Sequence, residues 1–174
     1  MKKLYTILAC ACIATLTGCH TSAVTERTEN ASAFFILPSD SFFVSVQNLG
    51  KDGDIVYKNS AHELALMIKG NIAKHTKNVG VSTTPMSFED AKAEAKKQGF
   101  KYLVSSEIIA WMEAPSGDTS LDKVKIKTTV WNLEKNAQQD SFTVSAKNPR
   151  VAFPSENPCF YARNAYAKYF NDLF

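Results

Sequence analysis

The chain has 174 residues, of which 45% are hydrophobic, 21% charged and 11% aromatic, a composition typical of a globular domain. No apolar run reaches the roughly 18 residues that a membrane-spanning helix requires, which excludes an integral membrane protein built from such helices. The formal net charge is +3. Without Lys2 and Lys3, which belong to the segment described next, 18 basic residues face 17 acidic ones. This near balance excludes the basic surface of a nucleic-acid-binding protein.

Residues 1–18 predict a lipoprotein signal peptide. Lys2 and Lys3 precede an apolar run over 4–16, whose length fits the hydrophobic core of a secretory signal. The run ends in residues 16–19 (LTGC), which resemble the lipobox of bacterial lipoproteins. The resemblance implies that Cys19 receives diacylglycerol, and with it acyl chains such as palmitate, and becomes the first residue of the mature chain. An ordinary signal peptide followed by a chance cysteine is the alternative.

The residue after Cys19 bears on the membrane to which the protein is sorted. In the lipoproteins that this segment resembles, an Asp at that position retains the protein at the inner membrane, and here it is His20. We therefore expect a lipid-anchored protein on the periplasmic face of the outer membrane. Residues 19–32 predict the lipidated cysteine and a flexible polar tether, and residues 33–174 a single globular domain.

The first half of the domain alternates strands and helices. The pattern predicts strands at 34–37 and 42–46 and a loop at 50–54. A helix over 61–77 should begin with a capping box of Ser60 and Glu63, and a short strand over 79–83 should follow. A second helix is opened by Ser87 with Asp90 and closed by Gly99.

The second half predicts an antiparallel meander. Apolar residues fall on even positions in the runs 102–112, 124–130 and 142–146, and this constant parity predicts one sheet face against the core. If the first hairpin turns near residue 118, Trp111 lies opposite Lys125, and Glu113 lies opposite Lys123. A last helix begins at Asn157-Pro158 and carries an apolar stripe to the C-terminus.

This order, β-α-β-α-β-β-β-α, predicts an α+β fold in which a mixed sheet ends in a three-stranded antiparallel meander and packs with three helices. Residues 57–61, residues 99–104 and the strand at 107–111 with its lysine-rich partner resemble a proteobacterial lipoprotein family catalogued as a domain of unknown function. More distantly, the topology resembles the curli-secretion lipoprotein, the lipoprotein activator of penicillin-binding proteins and the N-terminal domain of TolB. The resemblance implies binding of envelope proteins without catalysis in this domain.

The sequence offers little metal or cofactor chemistry. His62 and His75 lie on one predicted helix about 20 Å apart along its axis, so they cannot share a metal. We expect neither a metal nor a cofactor.

Cys159 is the one thiol left after removal of the signal and lipidation of Cys19, so no internal disulfide can form. It lies at the predicted N-terminus of the last helix, where the dipole lowers the pKa of a thiol. No His is placed by sequence to act as its base, and a small apolar residue on a helix stripe is more often part of the core. We expect no enzyme, with an envelope hydrolase or thiol enzyme that uses Cys159 as the alternative.

The odd-numbered face of the meander is the candidate partner-binding surface. It combines aromatic and basic side chains of the kind found at protein interfaces, namely Trp111, Lys123, Lys125, Lys127 and Trp131. In the opposing interpretation, the lysines solvate the sheet and the last helix covers the tryptophans. The sequence thus favours a non-catalytic protein-binding or accessory module with an envelope protein as partner. An immunity or ligand-binding lipoprotein is a further alternative.

Overall fold

The computed structural model describes residues 22–27, 34, 36–113, 122–147 and 157–174; the predicted signal peptide and Cys19 lie outside them. The strands are β1 (Ser22–Arg27), β2 (Phe42–Val46), β3 (Gly50–Asp52), β4 (Ile55–Tyr57), β5 (Val79–Val81), β6 (Tyr102–Met112), β7 (Lys123–Asn132) and β8 (Ala137–Lys147). The helices are α1 (Ser60–Ile72), α2 (Phe88–Lys97) and α3 (Cys159–Asn171). The α+β class is confirmed.

The main sheet has the order β1-β8-β7-β6-β2-β5, and β3 and β4 form a separate hairpin. Strands β6, β7 and β8 form the predicted antiparallel meander, while β2 runs parallel to both β5 and β6. Parallel neighbours need crossover connections, and α1 supplies the one between β2 and β5. In the described part of the chain, no helix has the length and apolarity to cross a membrane.

The flexible tether predicted over 19–32 is wrong in part, because Ser22–Arg27 forms the edge strand β1 on β8. The end of this strand is fixed by a buried acid: Arg27 Nη2 donates to Asp140 Oδ2 at 2.8 Å, and Tyr169 Oη donates to the same oxygen at 2.8 Å. Backbone pairing with β8 and this ion pair stabilise β1. Its sequence has no alternation of apolar and polar residues, so the strand could not be predicted from the sequence pattern.

Two local predictions before the first helix are corrected. The described residues at 34, 36 and 37 form no strand; Ile36 is buried, and its N–H donates to the carbonyl of Leu173 at 3.3 Å. The loop at 50–54 is instead part of the β3–β4 hairpin, whose turn uses Gly53 at φ +56°. Gly tolerates this left-handed conformation without a Cβ clash.

The helix predicted over 61–77 is shorter and begins differently. The hydroxyl of Ser60 accepts from the Gly50 N–H and donates to the Tyr57 carbonyl, so it makes no capping box. After Ile72 the chain leaves the helix through a turn, and the Thr76 hydroxyl donates to the carbonyl of Asp40 at 2.9 Å. The helix therefore ends five residues before the predicted position 77.

The other helix ends agree with the sequence. In α2, Ser87 Oγ accepts from the Asp90 N–H, and Gly99 adopts φ +76° after the helix. In α3, the Asn157 side chain accepts from the Cys159 N–H at 2.9 Å. These caps involve residues close together in the chain, so the starts of both helices could be predicted from the sequence.

Two cores lie on opposite faces of the sheet. The main core lies beneath α1 and α3 and contains the even-numbered apolar residues of β7, as predicted. A smaller core lies beneath α2 and contains Phe43, Ala91, Ala95, Leu103 and Leu133. The helix α2 covers only part of its face, and the residues of β6, β7 and β8 on that face are most exposed toward Lys123 and Lys147.

Candidate interaction surface

A β-bulge changes the predicted register of the meander. Ile108 pairs with Ile126, but the next pair is Ala110 with Lys125, so Ile109 is an extra residue on β6. A bulge of one residue reverses the faces of all residues beyond it. Trp111 therefore pairs with Val124 and points into the core, and the predicted pairing of Trp111 with Lys125 is wrong. The pairing of Glu113 with Lys123 is also wrong, because Lys123 pairs with Met112.

Trp111 is a core residue. Its side chain is only 1% exposed, and its ring centroid lies 6.3 Å from that of Tyr57. The indole Nε1 donates to Glu113 Oε1 at 2.8 Å, which satisfies the polar atom. At Gly50, a Cβ would lie 2.6 Å from Trp111 Cγ, so this close approach requires glycine. The predicted exposure of Trp111 on the partner-binding face is wrong.

Trp131 is half-buried and packs against α2. Its ring meets Phe88 edge to face at 5.5 Å, and Lys92 Nζ lies 4.8 Å from the indole centroid. Its Nε1 is buried without a hydrogen-bond partner among the described residues. The covering element is α2 rather than the last helix. Trp131 thus joins α2 to the sheet, and only part of it is accessible.

A shallow groove of about 250 Å³ separates α2 from the open part of the sheet. It is lined by Gln47, Phe88, Glu107, Lys127, Thr129, Trp131 and Gln138. The lining combines one acid, one base and the aromatic side chains of Phe88 and Trp131.

The open sheet face, defined as the exposed residues Glu107, Ile109, Lys123, Lys125, Lys127 and Lys147, agrees with the prediction for the three lysines of β7. Glu107 lies opposite Lys127, and Lys147 lies opposite Lys123. Lys147 was not among the predicted residues of this face, although the odd parity of the third run extends to it. Binding of a protein partner by this face remains a prediction.

Cys159 does not have the environment of a reactive thiol. It is 5% exposed, and burial raises the pKa of the thiol, with the carboxylates of Glu63 and Glu113 acting in the same direction. Desolvation of the thiolate therefore outweighs the helix dipole, which by itself would lower this pKa. Cys159 is a core residue, and its burial does not support the thiol-enzyme alternative.

The two described histidines, His62 and His75, do not belong to a cluster of metal-ligating side chains among the described residues. His75 Nε2 lies 3.0 Å from Asn171 Oδ1, and its ring stacks on Phe174 with centroids 4.5 Å apart. His62 lies exposed near the start of α1. Within the described ranges, no three His, Cys, Asp or Glu side chains come together as metal ligands.

Comparison with known proteins reveals similarity of structure but not of sequence. No protein-family model and no curated protein match the chain. The PelC dodecamer from Paraburkholderia phytofirmans matches with a TM-score of 0.66 at 15% identity, covering 87% of this chain and 97% of that chain.

Two further structures match at lower scores. Protein XCC0632 from Xanthomonas campestris, described by the family name DUF330, has a TM-score of 0.46 at 10% identity and covers 81% of this chain and 84% of its own. Lipoprotein GNA1162 from Neisseria meningitidis has a TM-score of 0.45 at 10% identity, with coverages of 78% and 98%. The structural neighbours thus include a lipoprotein and a protein of unknown function. The distant likeness to the curli-secretion lipoprotein and its companions remains a prediction, and the fold of this chain is that of the PelC subunit.

Proposed function

We propose that this protein is a lipid-anchored accessory protein of the bacterial envelope that assembles from copies of itself and binds other envelope proteins without catalysis. The observation that carries the proposal is the likeness of nearly the whole chain to the subunit of a dodecamer. The lipobox at residues 16–19 would supply the membrane anchor, and the outer membrane is the expected location because residue 20 is His.

In this proposal, the β3–β4 hairpin supplies contacts between copies. Its strand β4 carries two adjacent apolar residues, Ile55 and Val56, which are 59% and 42% exposed. A two-stranded hairpin is marginally stable in isolation, so adjacent apolar side chains exposed on β4 add little to the monomer. Burial of such a pair against another subunit would remove apolar surface from water, which favours association.

We expect the processed chain to be a homo-oligomer by native mass spectrometry. Replacing Ile55 and Val56 together by Ser should shift the population toward smaller species, because the change removes apolar area from the proposed contact. Leu37→Ser is the matched control, since Leu37 is 57% exposed elsewhere on the surface. Circular dichroism should show all three proteins folded. A strictly monomeric wild-type protein would contradict the proposed assembly.

We expect labelled fatty acid to enter the wild-type protein in cells but not the Cys19→Ser variant. Cys159→Ser is the control and should retain the label, because Cys159 is a buried core residue. The companion variant His20→Asp should move the protein from outer to inner membrane fractions. Equal labelling of wild type and Cys19→Ser would refute the anchor.

A further inference from the structure

We infer that the lysines at the end of the sheet where β1 begins lie against a bilayer surface of anionic phospholipid headgroups. They are Lys123, Lys125 and Lys147, a subset of the open sheet face. The inference rests on the proposed anchoring at Cys19, and it adds an orientation of the domain on the membrane.

The path of the chain sets the distance from the membrane. β1 begins at Ser22, three residues after Cys19, and three residues span at most about 11 Å. Ser22 pairs with Lys147, and Lys147 pairs with Lys123. Because neighbouring strands lie about 4.8 Å apart, the Lys123 backbone is roughly 10 Å from that of Ser22. An acyl group on Cys19 would therefore hold this end of the sheet close to the bilayer.

The charges on the open sheet face are distributed unevenly along the strands. In the row nearest the start of β1, Lys123 lies directly opposite Lys147, and Lys123 has Met112 on its other side. In the next row on this face, Lys125 lies between Ala110 and Ser145. Neither of these two rows holds a carboxylate.

The next row, farther from the start of β1, contains carboxylates as well as a lysine. Lys127 lies opposite Glu107 of β6. On its other side, Lys127 pairs with Thr143 of β8, which pairs with Glu26 of β1. The carboxylates on this face therefore accompany the lysine that is farther from the proposed anchor. Among the described residues, no ion pair involves any of these four lysines.

The acidic residue next to Lys123, Asp122, is buried, and its carboxylate accepts from the Tyr161 hydroxyl at 3.3 Å. Glu113 and Glu63 are also engaged on the core side. Glu113 accepts from the Trp111 indole, and Glu63 accepts from the Asn157 amide. Their hydrogen bonds hold them away from the open sheet face, so they do not neutralise its lysines.

An external anion would offset the repulsion within this lysine cluster. Like charges directly opposite on neighbouring strands destabilise a sheet, and sheet formation does not require them here. An anionic bilayer within the Debye length of about 8–10 Å attracts each lysine enough to strengthen binding about fivefold. The bilayer that holds the anchor is the anionic surface nearest to this cluster, which favours it over a second copy or an acidic protein.

The test installs the anchor chemically, so that it does not depend on lipidation in cells. The processed chain beginning at Cys19 is coupled through that thiol to a single 14-carbon acyl chain, since Cys159 is buried. One such chain binds membranes only marginally and reversibly, which makes partition sensitive to added attractions. Partition is measured into vesicles of phosphatidylcholine with and without phosphatidylglycerol.

The variant Lys123→Gln, Lys125→Gln, Lys147→Gln should partition into the anionic vesicles on the order of a hundredfold less than wild type at low salt. The control Lys77→Gln, Lys127→Gln, Lys135→Gln removes the same charge from exposed lysines outside the two rows and should lose less than tenfold. Neither variant should differ from wild type on neutral vesicles.

Equal losses in the two triple variants, or no loss in the first, would overturn the inference. A change in native mass without a change in partition would assign the lysines to contacts between copies, and the inference would again be wrong. Failure here leaves the fatty-acid labelling of Cys19 unaffected, so the orientation and the proposed function fail separately.

Discussion

Replacing Ile126 by Asp should unfold the domain. Ile126 is fully buried in β7, between Ile108 of β6 and Val144 of β8. The substitution removes apolar burial and leaves an unpaired carboxylate in the core, or else expels the strand, at a cost of several kcal/mol. That is a large part of the roughly 5–15 kcal/mol that holds a domain of this size folded. Val130→Asp should have the same effect, since Val130 is equally buried.

The adjacent odd positions provide the control. Lys125 lies on the open sheet face opposite Ala110, so Lys125→Asp should change the free energy of unfolding by only about 0.5 kcal/mol. Lys127→Asp should cost slightly more because it places a second carboxylate opposite Glu107. Urea unfolding followed by circular dichroism measures all four variants. Comparable destabilisation at even and odd positions would show that both faces are covered.

The parts of the fold that local signals encode could be predicted from the sequence. The helix α2 is marked at both ends by Ser87 and Gly99, whose cap and positive φ are properties of short segments. The strand β7 follows a strict period of two, and β8 follows it over residues 142–146, because one side packs against helices and the other is more open to solvent. These signals need no knowledge of distant residues.

The features that depend on distant partners could not be predicted. Strand β1 pairs with residues more than 110 positions away, and its polar sequence shows no alternation. The bulge on β6 lies in the uninterrupted apolar run 108–111 (IIAW), where a period of two leaves no trace. A single extra residue there moved Trp111 from the predicted surface to the core.

The candidate surface was predicted in part for the same reason. Lysines of β7 are on the expected side because no bulge precedes them on that strand. Trp131 is also on the expected side, but the second helix crosses the sheet there and half-covers its ring. Which helix covers which part of a sheet depends on tertiary packing, so alternation alone could not assign the exposure of Trp131.

Replacing Trp111 by Ala should destabilise the domain by about 3–5 kcal/mol, the usual cost of removing a large aromatic side chain from a core. Trp131→Ala should cost only about 2 kcal/mol, because that half-buried ring mainly loses its contacts with Phe88 and Lys92. Urea unfolding measures both. A larger loss for Trp131 than for Trp111 would contradict the bulged register.

The chain has two tryptophans, so each can be observed alone by fluorescence. With Trp131→Phe, the remaining Trp111 should emit at short wavelength and resist quenching by acrylamide, whereas Trp131 in the Trp111→Phe variant should be quenched more readily. Gly50 provides an independent check. Gly50→Ala should destabilise the wild type by about 1–3 kcal/mol through its clash with the indole, but much less in the Trp111→Ala background, because the space is then empty. Residues that touch or share a cavity show such coupling, whereas distant residues do not, so additive effects would place Trp111 elsewhere.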